Sequence, residues 1–126
     1  MEKKPSFGIV NRIKSFAYAF KGIVFLYKTQ ANVYIHTIIG LLVIVVAVSL
    51  KVSIAEWCLL IIAIGLVFMA EAFNTSVEQF IDFISPGYRY SAGKAKDLAA
   101  AAVLFAAITA ACIGLLIFLP KIMDLF

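Results

Sequence analysis

Residues 54–84 read IAEWCLLIIAIGLVFMAEAFNTSVEQFIDFI, and this stretch decides the fold. It stays apolar from near Ile54 through Ala70 and then becomes acidic and polar. The apolar part approaches the ~20 residues that cross a hydrocarbon core about 30 Å thick. The Ser85-Pro86-Gly87 tripeptide that follows is typical of a helix end. The stretch therefore predicts a transmembrane helix over residues 54–84 whose last turns carry carboxylates towards the membrane surface.

Two further apolar runs lie on either side of this helix, at residues 33–50 and 98–119. Each is long enough to span a bilayer, and they predict transmembrane helices over residues 32–50 and 92–120. We expect Pro120 to close the last helix, because proline cannot donate a helical hydrogen bond.

The composition supports an all-α membrane protein that forms a single membrane domain over residues 1–126. The chain is 64% hydrophobic with a mean hydropathy of +1.06, whereas soluble domains are nearer half apolar. A net charge of +4 is modest for nucleic-acid binding, so we expect no nucleic-acid partner. Cys58 and Cys112 lie in apolar runs and are expected to be buried free thiols.

The segment from residue 7 to residue 28 has apolar side chains at helical spacing, interrupted by basic residues. One interpretation is an amphipathic helix in the membrane interface, with its apolar side in the acyl chains. The other is an ordinary amphipathic helix packed on the bundle. Both readings stay open at this stage.

The basic residues predict the orientation in the membrane. Nine of the eleven, including Lys3 and Lys4, fall before the first span or between the second and third. The positive-inside rule then places the N-terminus and the loop at residues 82–96 of this multi-pass protein in the cytoplasm.

A polar stripe follows the second span. At about 100° per residue, Glu71, Asn74, Glu78 and Asp82 lie on one helix face. Glu71 is predicted at the inner edge of the hydrocarbon, where a carboxylate is costly and usually functional, and where it suits a general base. Glu78 is predicted in a wetter zone, where its ionised oxygens can hold Mg²⁺. For Asp82, an equally good explanation is that the helix leaves the membrane there and exposes its acidic side chains to water.

Lysines at the start of the third span form a second candidate site. Lys94 and Lys96 stand where a helix N-terminus already favours anions, so a phosphate-bearing ligand would explain them, and positive-inside anchoring is the alternative. Together with the acidic stripe they suggest phosphoryl transfer. The lone histidine, His36, is expected to be a hydrogen-bonded structural residue.

At this point a family resemblance becomes visible. Residues 71–78 (EAFNTSVE), followed by residues 96–103 (KDLAAAAV), closely resemble the small prokaryotic diacylglycerol kinase family, which includes the undecaprenol kinases. The resemblance covers nearly the whole chain. Three short features are more similar to the undecaprenol kinases of Gram-positive bacteria than to the enterobacterial branch. They are Ile-His at residues 35–36, Glu-Trp at residues 56–57 and Phe-Leu-Pro at residues 118–120.

The resemblance implies a homotrimeric, ATP- and Mg²⁺-dependent kinase of the bacterial cytoplasmic (inner) membrane, which phosphorylates a membrane lipid alcohol at sites built between subunits. Undecaprenol is the favoured acceptor, and the alternatives are a diacylglycerol kinase that makes phosphatidic acid or a non-catalytic lipid-binding subunit. By resemblance, Glu71 is the general base, Asn74 orients the reacting groups, and Glu78 is a metal ligand. The implied nucleotide contacts are Tyr18, Gly87, Tyr88, Arg89, Lys96 and Asp97.

Gln30 is a departure from the family pattern, which usually has a glutamate as second metal ligand at this position. A glutamine oxygen can still coordinate Mg²⁺ but brings no negative charge, so the resemblance implies that metal binding is weaker here or that another acidic residue compensates.

Overall fold

The fold is all-helical throughout the residues that the structure, a computed structural model, describes, namely 8–126. Its helices, in chain order, are α1 (Ile9–Thr29), α2 (Ala31–Ser49), α3 (Ile54–Ile84) and α4 (Tyr90–Met123). The last three are long and apolar enough to cross a membrane. The predicted fold class, three transmembrane helices after an N-terminal helix, is therefore confirmed. Phe7, the predicted first residue of α1, lies outside the described residues, as do Lys3 and Lys4.

The α2–α3 connection is a tight turn at one end of the bundle, which we call the turn end. Lys51 has a left-handed φ of 51°. Ser53 caps α3: its hydroxyl accepts from the Glu56 amide, and its own amide donates to the Glu56 carboxylate. This reciprocal capping box satisfies two amides that the helix would otherwise leave without partners.

The other end of the bundle, which we call the loop end, holds the junction of α1 with α2 and the α3–α4 loop. As the Ser-Pro-Gly tripeptide predicts, α3 ends at Ile84. Helix α4 starts at Tyr90, two residues before its predicted start at residue 92.

The expectation that Pro120 closes the last helix is wrong, because α4 continues to Met123. Proline has no amide hydrogen and so removes one helical bond, but its fixed φ is compatible with a helix. Its own carbonyl accepts a hydrogen bond from the Asp124 amide at 3.0 Å, so the helical pattern resumes beyond it.

Helices α3 and α4 pack most extensively, and an ion pair joins them at each end. Lys121 contacts Glu56 at 3.1 Å at the turn end, and Lys96 contacts Asp82 at the loop end. Helix α2 joins this pair through a small apolar cluster of Ala47, Val52, Leu60 and Ile117. The α3–α4 pair is thus the frame on which the site is built.

Most of the apolar surface is not covered by the chain itself. Only 11–22% of the most apolar window of each span is buried. The expectation of buried thiols is wrong for the same reason: Cys58 and Cys112 are free but exposed. An apolar run in a membrane helix can face lipid as well as protein, so hydropathy alone does not predict burial within the chain.

Helix α1 shows the same pattern, since Leu26 is its buried residue and its large apolar side chains stay exposed. The apolar side of an amphipathic helix must be covered by something. The apolar side of α1 is therefore left open to lipid or to another protein surface.

Candidate functional site

The acidic stripe of α3 runs from a buried to an exposed position. Glu71 is 1% exposed and Asn74 is also buried, Glu78 is half-buried, and Asp82 is exposed. Burial within the chain therefore decreases along the stripe from Glu71 to Asp82.

The buried carboxylate of Glu71 has a partner on α2. Oε1 of Glu71 lies 3.0 Å from Nε2 of His36, whose side chain is 19% exposed. An ionised carboxylate can only accept hydrogen bonds, so in that state Nε2 carries the hydrogen and donates it. His36 is hydrogen-bonded, as its sequence predicts, but its partner is the candidate base.

The predicted metal ligands meet at the loop end. Gln30 is the single extended residue between α1 and α2, with φ −118° and ψ 110°. Its Nε2 donates to Oε2 of Glu78 at 3.4 Å, and Nδ2 of Asn74 donates to Oε1 of Glu78 at 3.2 Å. One carboxylate is thus held between two amides from different parts of the chain.

The amide of Asn74 has one buried atom without a partner. Its Oδ1 makes no hydrogen bond within the described residues. A buried oxygen left without a partner is costly, and such atoms often mark the place of a ligand, an ion or a water. Asn74 lines a cavity of about 340 Å³ together with Asn32, His36, Glu71 and Ala100. The orphan oxygen therefore belongs to a residue that borders open space next to the candidate base.

An apolar groove of about 550 Å³ adjoins this cavity. His36 and Ala107 line both spaces. The groove continues towards the turn end along Gly40, Leu60 and Gly114, with almost entirely apolar walls. A polar end beside Glu71 and an apolar body along the helices suit an amphiphile with a polar head and a hydrocarbon tail.

The loop-end cluster of Gln30, Asn74 and Glu78 offers a metal ion few negatively charged ligands. The described residues contain no group of three or more His, Cys, Asp and Glu side chains that could hold one. Glu78 offers one carboxylate, and Gln30 and Asn74 offer amide oxygens. Mg²⁺ usually binds through one or two carboxylates while keeping waters or substrate phosphates. This donor set fits a Mg²⁺ ion that arrives with phosphate groups, and does not resemble a closed protein cage.

The lysine cluster is engaged but accessible. Lys96 forms an ion pair with Asp82, with side chains 36% and 59% exposed. Such exposed pairs contribute about 0–1 kcal/mol, so Lys96 can exchange its partner at little cost. The Lys94 ammonium lies 4.6 Å from the centroid of the Tyr90 ring. This cation–π contact explains the position of Lys94 without a bound ligand.

The remaining predicted nucleotide contacts are dispersed over the loop end. Tyr18 is exposed on α1, with the Lys21 ammonium 5.6 Å from its ring centroid. Asp97 is exposed and has no ion-pair partner among the residues described. Three others lie exposed in the α3–α4 loop: Gly87, Tyr88 and Arg89. The chain by itself brings Gln30, Asn74 and Glu78 together and does not gather these nucleotide candidates around them.

The fold and the site define a multi-pass helical membrane protein with a polar, acid-bearing cluster at one end of its bundle. The chain belongs to the prokaryotic diacylglycerol kinase family, whose pattern matches residues 17–118. It is therefore a bacterial membrane protein of a lipid kinase family, and a kinase family implies ATP as co-substrate.

Individual relatives carry two different substrate names. An undecaprenol kinase of Bacillus subtilis is 37% identical over 123 residues, which cover 97% of this chain and 100% of the relative. A diacylglycerol kinase of Synechocystis sp. is 37% identical over 116 residues, covering 91% of this chain and 66% of the relative. A diacylglycerol kinase of Escherichia coli is 34% identical over 103 residues, covering 82% and 84%.

Proposed function

We propose that this chain transfers the γ-phosphate of ATP to the hydroxyl of a membrane polyprenol, with undecaprenol as the preferred acceptor. The observation that carries the proposal is the buried Glu71 carboxylate, which lines a cavity that adjoins an apolar groove. A lipid alcohol in that groove would bring its hydroxyl to the carboxylate while its tail stays among apolar side chains.

Glu71 would act as the general base. It would take the hydroxyl proton while the lipid oxygen forms a bond to the γ-phosphorus and the bond to the β-phosphate oxygen breaks, releasing ADP. Proton transfer by a positioned side chain typically contributes 10²–10⁴-fold to a rate. Asn74 would orient the reacting groups, because its Nδ2 is fixed by Glu78 and its Oδ1 remains available.

Glu78 would be the carboxylate ligand of Mg²⁺, and Gln30 would add its amide oxygen after its side chain turns away from the Nε2 contact that it makes with Glu78. When bound, Mg²⁺ would neutralise charge on the transferring phosphate. Because this chain supplies one carboxylate where two are usual in the family, most of the affinity would have to come from the nucleotide phosphates.

The nucleotide would lie at the loop end. Lys96 would leave Asp82 for a phosphate, which is feasible because the ion pair is exposed. Asp97 and Tyr18 would contact other parts of ATP, as would residues of the α3–α4 loop: Gly87, Tyr88 and Arg89. Since a single chain leaves these residues apart, the proposal includes a homotrimer whose sites form between subunits.

The preference for undecaprenol rests on similarity and on shape. The relative named undecaprenol kinase aligns over its full length, whereas the relative from Escherichia coli aligns over less of this chain. The groove beside Glu71 is also nearly all apolar, which suits an acceptor with a hydroxyl as its one polar group. We further propose that the N-terminus and the α3–α4 loop face the cytoplasm, where ATP is available.

Transfer of labelled γ-phosphate from ATP tests the proposal. Undecaprenol and diacylglycerol would be offered separately in mixed micelles, with and without Mg²⁺, to the native chain and to Glu71→Ala. Glu56→Gln is the matched control, because it alters a carboxylate of the same helix at the turn end, away from the cavity.

We expect Mg²⁺-dependent labelling of undecaprenol that is lost in Glu71→Ala and kept in Glu56→Gln. Faster labelling of diacylglycerol would overturn the preference for a polyprenol. Failure to label either lipid by the folded native protein would overturn the kinase assignment itself and would favour a lipid-binding subunit.

A further inference from the structure

We propose that His36 is a positioning residue that holds the Glu71 carboxylate in its reactive orientation. This inference rests on the proposed role of Glu71 as general base. It assigns a catalytic purpose to a side chain whose sequence context suggested a structural one.

The contact between the two residues is specific. Nε2 of His36 lies 3.0 Å from Oε1 of Glu71, and the two side chains come from different helices, α2 and α3. Glu71 is buried, so its carboxylate has lost most of its contact with water. A hydrogen bond to an ionised group in such a site is stronger than one between neutral groups.

His36 is also one of the two residues, with Ala107, that line both spaces. It lines the cavity with Glu71 and Asn74, and it lines the apolar groove with Gly40 and Leu60. A lipid hydroxyl that reaches Glu71 from the groove would therefore come close to the imidazole. By engaging Oε1, His36 leaves Oε2 as the oxygen that can accept the proton of the lipid hydroxyl.

The geometry predicts which substitutions retain the function. Glutamine carries its amide nitrogen two bonds beyond Cγ, as histidine carries Nε2, so it can place a donor at the same point. Asparagine carries its nitrogen one bond beyond Cγ, at the place of Nδ1, and falls short of Glu71. His36→Gln and His36→Asn are thus a matched pair that differ in the reach of the donor.

Steady-state kinetics of lipid phosphorylation test the inference, using native protein, His36→Gln, His36→Asn and Ser49→Ala. The last variant removes a hydroxyl that binds only the Val45 carbonyl of its own helix and serves as the control on α2. Thermal unfolding in the same detergent shows that each variant is folded at the assay temperature. A misplaced reacting group can cost on the order of 10²-fold in rate.

We expect kcat to fall roughly 10- to 100-fold in His36→Asn, with the KM values for lipid and for ATP nearly unchanged. His36→Gln should recover most of kcat. A purely structural histidine would instead lower the unfolding temperature or raise KM, with no selective loss of kcat.

Native kcat in a folded His36→Asn variant would overturn the inference, provided that Glu71→Gln is inactive in the same assay. That pattern would leave the proposed function intact. An inactive native protein, in contrast, would refute the proposed function, so the two failures are distinguishable.

Discussion

Restoring a carboxylate with Gln30→Glu should make the stability of the protein depend on Mg²⁺. In the native chain the Gln30 amide donates to Glu78 at 3.4 Å. Two carboxylates at that separation would repel by about 5 kcal/mol at an effective dielectric constant of ~20 and by about 1 kcal/mol in water. Since Glu78 is half-buried and the side chains can move apart, we expect the variant without metal to lose about 1–3 kcal/mol of unfolding free energy.

Bound Mg²⁺ should reverse this loss, because a cation between two carboxylates removes their repulsion. A ligand at one hundred times its Kd stabilises the folded state by ~2.7 kcal/mol. We therefore expect the unfolding temperature of Gln30→Glu to start below that of the native protein and to rise with Mg²⁺ over a range in which the native protein responds weakly.

Thermal unfolding in detergent over a Mg²⁺ titration measures this effect. Gln79→Glu is the control, since it adds the same charge one position from Glu78 on an exposed face that borders α1 rather than Gln30. Equal unfolding temperatures for Gln30→Glu and the native protein, with no response to Mg²⁺ in either, would refute the placement of a metal between Gln30 and Glu78.

Three further predictions concern the base, the lysine and the turn end. Glu71→Gln should lower kcat for lipid phosphorylation by about 10²–10⁴-fold with little change in the KM for lipid, because the amide cannot accept the proton; an active variant would exclude Glu71 as base. Lys96→Ala should raise the KM for ATP, whereas Asp82→Asn, which frees the lysine, should not, and initial rates over an ATP series separate the two. Glu56→Ala should lower the unfolding temperature more than Lys121→Ala, because it removes the carboxylate half of the capping box as well as the Lys121 contact, whereas Lys121→Ala breaks the ion pair alone; thermal unfolding that ranked them in reverse would contradict this.

Much of the fold could be predicted because membrane helices are set by local patterns. The predicted bounds 54–84 agree with α3, since apolar length and the Ser-Pro-Gly tripeptide act within the segment itself. The clustering of Asn74 with Glu78 also follows from helical periodicity, as these residues lie one turn apart. The prediction that Pro120 ends the last helix was wrong because a proline removes one helical hydrogen bond without necessarily ending the helix.

The contacts between helices could not be predicted in this way. His36 and Glu71 are 35 residues apart, and Gln30 and Glu78 are 48 apart. Their meeting depends on how far α2 is shifted along α3, which is decided by packing between helices rather than by periodicity within one. A lone histidine in an apolar run carries no signal of such a partner, so the contact with Glu71 is visible only in the three-dimensional arrangement.

The single-residue junction at Gln30 has a mechanical consequence. Helix α1, with its exposed apolar side, leads into α2 through this one extended residue, whose side chain touches Glu78. A change in the tilt or depth of α1 would therefore move Gln30 and alter its contact with Glu78. We expect the rate of such an enzyme to respond to the thickness and lateral pressure of the surrounding bilayer, even at a fixed concentration of acceptor, so that the lipid environment acts as a regulator as well as a solvent.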